Sequence, residues 1–137
     1  MIKLSCHRKI LIFHLKRYYF DPESERTKKA NARVNFPSDQ GLWWPGSIAE
    51  EKAQYNLVAV IYHRGEDAVS SGHYAITMRI RQSWVMFDDD KVVEMAKDHD
   101  LISEGTFGGD AFMLVYCRED QYKELIDQDQ HKHLQMT

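Results

Sequence analysis

Residues 70 to 90 read Ser-Ser-Gly-His-Tyr-Ala-Ile-Thr-Met-Arg-Ile-Arg-Gln-Ser-Trp-Val-Met-Phe-Asp-Asp-Asp. Two strand-like runs stand back to back in this stretch. Tyr74, Ile76, Met78 and Ile80 alternate with Ala75, Thr77 and Arg79, and Val85 and Phe87 alternate with Trp84 and Met86. A period of two is the signature of a strand with two distinct faces. His73 opens the first run and Asp88 closes the second. If the runs fold into an antiparallel hairpin about Arg81, the two ends meet, since directly opposed residues have Cα atoms roughly 4.5 to 5.5 Å apart. A carboxylate in that place fixes a histidine in one tautomer and leaves its other ring nitrogen to act as a base. The turn is weakly signalled, because Arg81-Gln82-Ser83 holds neither glycine nor Asn-Gly.

Outward from the hairpin, the chain reads as more strands. Lys9 to Phe20 is predicted to be one long strand, central and covered on both faces in its first half. Asp21 to Asn31, charged and carrying Pro22, suits a hairpin connection, and a short strand is expected from Ala32 to Phe36. Ser38 to Gln54 is expected to be a loop, pinned by Trp43 and Trp44, with a helical turn near Ile48 to Ala53. Tyr55 to His63 alternates as a strand, and Arg64 to Ser71 is expected to be a polar loop. Lys91 to Glu94 suggests a short strand, Asp98 to Gly105 helix and loop, and Ala111 to Arg118 a last strand apolar on both faces. Glu119 to Leu134 is helix-like, with Tyr122, Leu125 and Ile126 on one stripe.

Sequential strands with few helices predict an α+β domain built on a mainly antiparallel sheet. At 137 residues there is chain for one modest core. A net charge of −3 gives no reason to expect a nucleic-acid partner. No apolar run approaches the roughly 20 residues of a membrane span, and no signal-peptide pattern is present. Two cysteines, Cys6 and Cys117, form no motif, so free thiols in a reducing compartment are expected, with the cytoplasm or nucleus as the default location.

Read in order, the strands carry more than patterning. One set is Leu11-Ile12-Phe13-His14-Leu15-Lys16-Arg17-Tyr18, then Val34-Asn35-Phe36-Pro37, then Tyr55-Asn56-Leu57-Val58-Ala59-Val60 with His63 and Gly65. After these come Ser71-Gly72-His73-Tyr74, then Trp84 with Phe87-Asp88-Asp89 and Val92, then Gly108-Gly109-Asp110 leading into Ala111 to Tyr116. This succession resembles the C-terminal half of the ubiquitin-specific protease catalytic domain, a papain-like cysteine peptidase family. The resemblance covers about residues 8 to 118, and the chain is expected to divide into a sheet lobe, 1 to 118, and a C-terminal helix and tail, 119 to 137.

The resemblance implies roles by position. His73 matches the catalytic histidine, Asp88 its acidic partner, and Asp89 a neighbouring polar position that assists. His63 and Tyr74 match positions near the channel for the ubiquitin C-terminal tail, and the Gly108-Gly109 segment matches a loop bordering it. Gly72 fits a place where a side chain would crowd a substrate backbone. The implied reaction is hydrolysis of the isopeptide bond between a ubiquitin C-terminal glycine and a lysine amine. His73 would take the proton of a thiol and later protonate the leaving amine.

The sequence departs from the family in one large respect. A Gly-Asn-Thr-Cys-type box is absent, and two cysteines cannot supply the paired Cys-x-x-Cys zinc motifs of many members. Cys6 precedes a strand rather than heading an apolar helix, and Cys117 lies inside an apolar strand. The nucleophile is therefore expected from a cysteine-bearing lobe outside these residues, and the chain by itself is expected to be inactive. The alternative is a non-catalytic module that binds ubiquitin or that lobe. A metal site drawn from His63, His73 and Asp88 to Asp90, or from His131 and His133, matches no compact ligand spacing, and no cofactor is expected.

Overall fold

The computed structural model describes residues 8–36, 42–45, 52–67, 71–81, 83–95 and 110–124. Nine strands lie among them: β1 (Ile10–His14), β2 (Tyr18–Asp21), β3 (Arg26–Lys29), β4 (Leu42–Pro45), β5 (Lys52–Asp67), β6 (Ser71–Ile80), β7 (Ser83–Asp88), β8 (Lys91–Met95) and β9 (Ala111–Arg118). One short helix, α1, covers residues 119–124. The main sheet runs in the order β1-β9-β5-β6-β7-β8, with β4 paired to the start of β5, and β2 and β3 form a separate ribbon. This is the mainly antiparallel sheet with little helix that the alternation predicts.

The chain divides into two compact units. The first takes residues 1–12, 37–58 and 115–137, and the second takes 13–36 and 59–114. In the first unit Tyr55, Leu57, Tyr116 and Cys117 are buried. The Tyr55 hydroxyl donates to the Arg8 carbonyl at 2.7 Å, and the Arg118 amide donates to the Lys9 carbonyl at 2.8 Å. Burial pushes the Tyr116 hydroxyl up to about 12.

The second unit holds the central hairpin. Ile80 pairs with Ser83, Met78 with Val85 and Ile76 with Phe87, so β6 and β7 turn about Arg81 as their alternation predicts. Arg81 takes a left-handed φ of 57°, a conformation that arginine does not favour. Asp89 does the same (φ 52°) where β7 turns into β8, and aspartate tolerates it better. Val60 and Tyr62 of β5, Ala75 and Thr77 of β6 and Trp84 of β7 are buried.

Several expectations need correction. The strand expected over residues 9 to 20 breaks at Leu15-Lys16-Arg17. Arg17 is the reason: it is 4% exposed, and its guanidinium donates to the carbonyls of Ala111, Ala30 (3.0 Å) and Ala32 (2.8 Å). The fork thus ties residue 17 to two other segments, residues 30–32 and the start of β9. β1 is also terminal in the strand order rather than central, with Ile10 and Ile12 exposed.

The charged segment after Asp21 is itself half ribbon, with Asp21 opposite Arg26 and Tyr18 opposite Lys29. Residues 30–36 form no strand, and Arg17 holds the carbonyls of Ala30 and Ala32 there. Leu42–Pro45, expected in a loop, is a strand paired with β5, and Lys52 and Ala53 belong to β5 rather than to a helical turn. β5 continues through Arg64 to Asp67, absorbing much of the expected loop with a register irregularity after Arg64. The expected helix from Asp98 to Gly105, the Gly108-Gly109 segment, Cys6 and the helix beyond residue 124 lie outside the described residues.

Candidate functional site

The site lies within the second unit, at the end of the β5–β6–β7 strands. Arg64 on β5 pairs directly with His73 on β6, so their side chains share a face. On β7, Ile76 is opposite Phe87, which brings Asp88 beside Ala75, two residues from His73 and on that same face. The sequence reading sets His73 and Asp88 directly across from each other, whereas the register makes them diagonal. Diagonal neighbours lie about 7–8 Å apart along the backbone and are bridged by side chains of sufficient reach. An imidazole and a carboxylate have it.

His73 Nε2 contacts the Asp88 carboxylate. With the proton on that nitrogen, Nδ1 keeps its lone pair and lies 3.9 Å from Asp89 Oδ2. The His73 side chain is 43% exposed and that of Asp88 only 19%. The acid is thus set behind the base, which remains reachable. Arg64 Nη1 donates to the other Asp88 oxygen at 3.3 Å. The hydrogen bond to Asp88, and then the charge of Asp88, raise the His73 pKa above the ordinary histidine value. The same bond, with help from Arg64 and Lys91, lowers the Asp88 pKa.

The opposite face of β5 and β6 carries the other predicted residues. His63 pairs with Tyr74. His63 is 2% exposed and lies beneath the surface, whereas Tyr74 is 53% exposed. The two rings are 4.6 Å apart, and Phe112 of β9 lies 5.8 Å from Tyr74. The Tyr18 hydroxyl meets His63 Nδ1. Lys29, also buried, donates its ammonium to the His63 carbonyl and to Asp110 Oδ1 at 2.7 Å. Burial, then the charge of Lys29, lower the His63 pKa, opposite in direction to the shift at His73.

Gly72 lies over His63. A Cβ built there would come within 1.9 Å of His63 Nε2 and 2.6 Å of its Cε1. The sequence reading explains this glycine by substrate crowding, but a neighbour inside the protein already excludes a side chain.

Arg64, Tyr18, Lys29 and Asp110 are the participants that sequence reasoning misses. Arg64 becomes visible once β5 is extended past His63, since it then falls opposite His73. The buried Lys29 and Arg17 sit in charged runs that give no hint of burial. His73, Asp88 and Asp89 also offer ligand atoms within 4.8 Å of one another, the donor types a divalent cation takes. Cys117 is 1% exposed, and burial raises its thiol pKa, the opposite of what a nucleophile requires.

With this geometry in view, the comparisons place the chain. The model of the family described as ubiquitin carboxyl-terminal hydrolase matches residues 3–116. The chain belongs to the ubiquitin carboxyl-terminal hydrolase family. It is 38% identical over 98 residues to ubiquitin carboxyl-terminal hydrolase 48 of Danio rerio, covering 69% of this chain and 9% of that protein. It is 36% identical over 100 residues to ubiquitin carboxyl-terminal hydrolase 26 of Arabidopsis thaliana, covering 70% of this chain and 9% of that protein. Ubiquitin carboxyl-terminal hydrolase 12 of Salmo salar is 36% identical over 84 residues, 61% of this chain and 22% of that protein.

Among solved structures, the SAGA DUB module of Ubp8, Sgf11, Sus1 and Sgf73 bound to monoubiquitin has the same fold over this stretch. Its TM-score is 0.64 at 23% identity, covering 81% of this chain and 23% of that chain. The same module bound to ubiquitin aldehyde gives 0.64 at 20% identity, with 81% and 24% covered. The chain thus spans well under a third of the length of each of these relatives.

Proposed function

We propose that this chain supplies the histidine–aspartate half of a thiol-dependent deubiquitinating site. The observation that carries the reading is the reachable His73 imidazole backed on one ring nitrogen by the less exposed Asp88 carboxylate. A base of this kind is oriented before substrate arrives.

In the reaction, His73 Nδ1 takes the proton of a cysteine thiol, and the thiolate attacks the carbonyl of the ubiquitin C-terminal glycine. Asp88 holds the ring and stabilises the imidazolium that forms, and Arg64 keeps Asp88 ionised. His73 then donates the proton to the departing lysine amine, and a water deprotonated by the same ring releases ubiquitin from the acyl-enzyme. Asp89, 77% exposed and 3.9 Å from Nδ1, assists at the margin. Tyr74, exposed on the other face of β6 beside Gly72, borders the path of the ubiquitin tail. The structural neighbours bound to monoubiquitin and to ubiquitin aldehyde support ubiquitin as the partner.

The thiol is proposed to come from a cysteine-bearing lobe outside the described residues, since buried Cys117 is unsuited to the role. The test is a chimera in which residues 8–118 replace the matching segment of an active family member that keeps its own cysteine lobe. Cleavage of a ubiquitin C-terminal amide that disappears with His73→Ala supports the reading. A folded chimera that binds ubiquitin saturably but cleaves nothing favours the binding-module alternative.

A further inference from the structure

We infer that His63 is a positioning residue for His73, acting through Gly72 as the fixed surface on which the backbone before the base rests. The inference depends on the proposed role of His73 and adds a second histidine to it, one that never touches substrate.

The register supplies the geometry. Alternation along β6 sends the side chain of His73 to the face of Arg64 and Asp88, and the missing side chain of Gly72 to the face of His63. The His63 ring fills the space a Cβ at residue 72 would take, with Nε2 at 1.9 Å, Cε1 at 2.6 Å and Cδ2 at 3.0 Å from that point. Ring and peptide are therefore in direct contact. Movement of either displaces the residue that carries the base.

The ring is itself held from several sides. The Tyr18 hydroxyl bonds its Nδ1, and the Tyr18 ring meets it edge-on at 5.5 Å. Tyr74 packs against it at 4.6 Å and Phe112 at 6.3 Å. The His63 carbonyl accepts from the Lys29 ammonium, which Asp110 anchors in turn. A fully buried imidazole held at both backbone and ring is a poor substrate ligand and a good fixed wall.

The consequence is steric and reciprocal. Enlarging residue 72 pushes β6 away from His63 and draws His73 off Asp88, and shrinking residue 63 leaves the same peptide unsupported. Making both changes together restores the fit, because the new methyl group enters the space the ring vacates.

The test reads the His73 imidazole by NMR titration in the full 137-residue chain for wild type, Gly72→Ala, His63→Ala and the double variant. Asp88, Asp89 and Arg64 are the charged groups facing His73, and all four proteins retain them. The wild-type midpoint is expected above the ordinary value near 6.5. It should fall most of the way back in Gly72→Ala, fall partly in His63→Ala, and recover in the double variant. A Gly72→Ala midpoint equal to wild type, or a double variant no nearer wild type than Gly72→Ala, overturns the inference. Should Gly72→Ala fail to fold, a folded double variant supports the inference, and a folded His63→Ala protein with a wild-type midpoint overturns it. A wild-type midpoint at or below the ordinary value instead removes the Asp88–His73 couple, and with it the proposed function.

Discussion

Asp88 reaches His73 diagonally across the β6–β7 ladder, because Phe87 is opposite Ile76 and the carboxylate therefore falls beside Ala75. The offset has a chemical use. The acid approaches one ring nitrogen from the side and leaves the other uncovered, and Arg64, directly opposite His73 on β5, ties down the second carboxylate oxygen. Three strands thus fix one acid and one base without any loop residue.

In a chimera with a cysteine lobe, His73→Ala is expected to lower turnover by about 10²–10⁴-fold, the usual contribution of a positioned general base. Asp88→Asn keeps the shape and removes the charge, and should fall in the same range. Asp89→Asn should cost less than about fivefold, since an exposed pair at 3.9 Å contributes little. Steady-state cleavage of a ubiquitin C-terminal amide measures all three. An Asp89→Asn loss as large as that of Asp88→Asn would reverse the assignment.

Arg17 is expected to be a large single contributor to stability in the second unit. Arg17→Met preserves much of the apolar stem but leaves the carbonyls of Ala30, Ala32 and Ala111 without their donor. Leaving the buried Ala111 acceptor unsatisfied and losing the two part-buried bonds should cost about 2–3 kcal/mol in urea unfolding. Arg17→Lys should recover only part of this, because an ammonium cannot present the same fork. A loss of a few tenths would show that water replaces the guanidinium.

The two histidines should act on stability with opposite sign. The raised His73 pKa means that its contribution is complete below about 6.5 and is lost as pH rises through the folded value. The lowered His63 pKa means that its contribution is complete above about 6.5 and is lost as pH falls through the folded value. Asp88, with its pKa lowered, loses its share only in acid, as pH drops below the ordinary carboxylate range. Urea unfolding at pH 5.5 and 8 should show His63→Asn flattening the acid side and His73→Asn the alkaline side. The reverse pattern would exchange the two environments.

Cys117 should resist modification in the folded chain, being 1% exposed with its thiol pKa raised by burial. Mass spectrometry after exposure to iodoacetamide should find it unlabelled until denaturant is added. A ubiquitin-derived electrophilic probe should likewise leave the isolated chain unmodified. Capture of the probe at Cys117 would place the nucleophile inside this chain.

The hairpin was legible because β6 and β7 alternate cleanly and their length fixes where His73 and Asp88 end up. Which residues face each other was not, because the two-residue turn places Arg81 at positive φ without a glycine to announce it. The extension of β5 was hidden by Gly65 and the polar residues around it, and Arg64 was hidden with it. The break at Arg17 had no local signal. It exists because a buried guanidinium gathers three distant carbonyls, and pattern along the chain does not record such long-range bonds. The clash that excludes a side chain at Gly72 comes from His63, nine positions earlier, and only the pairing of β5 with β6 brings them together.

The most direct measurement is the NMR titration of the His73 imidazole in the wild-type chain and in Asp88→Asn. A wild-type midpoint above the ordinary histidine value near 6.5, returning toward that value in the variant, is the expected result. Identical midpoints in the two folded proteins would show that Asp88 does not engage the base, and the proposed site would fall with it.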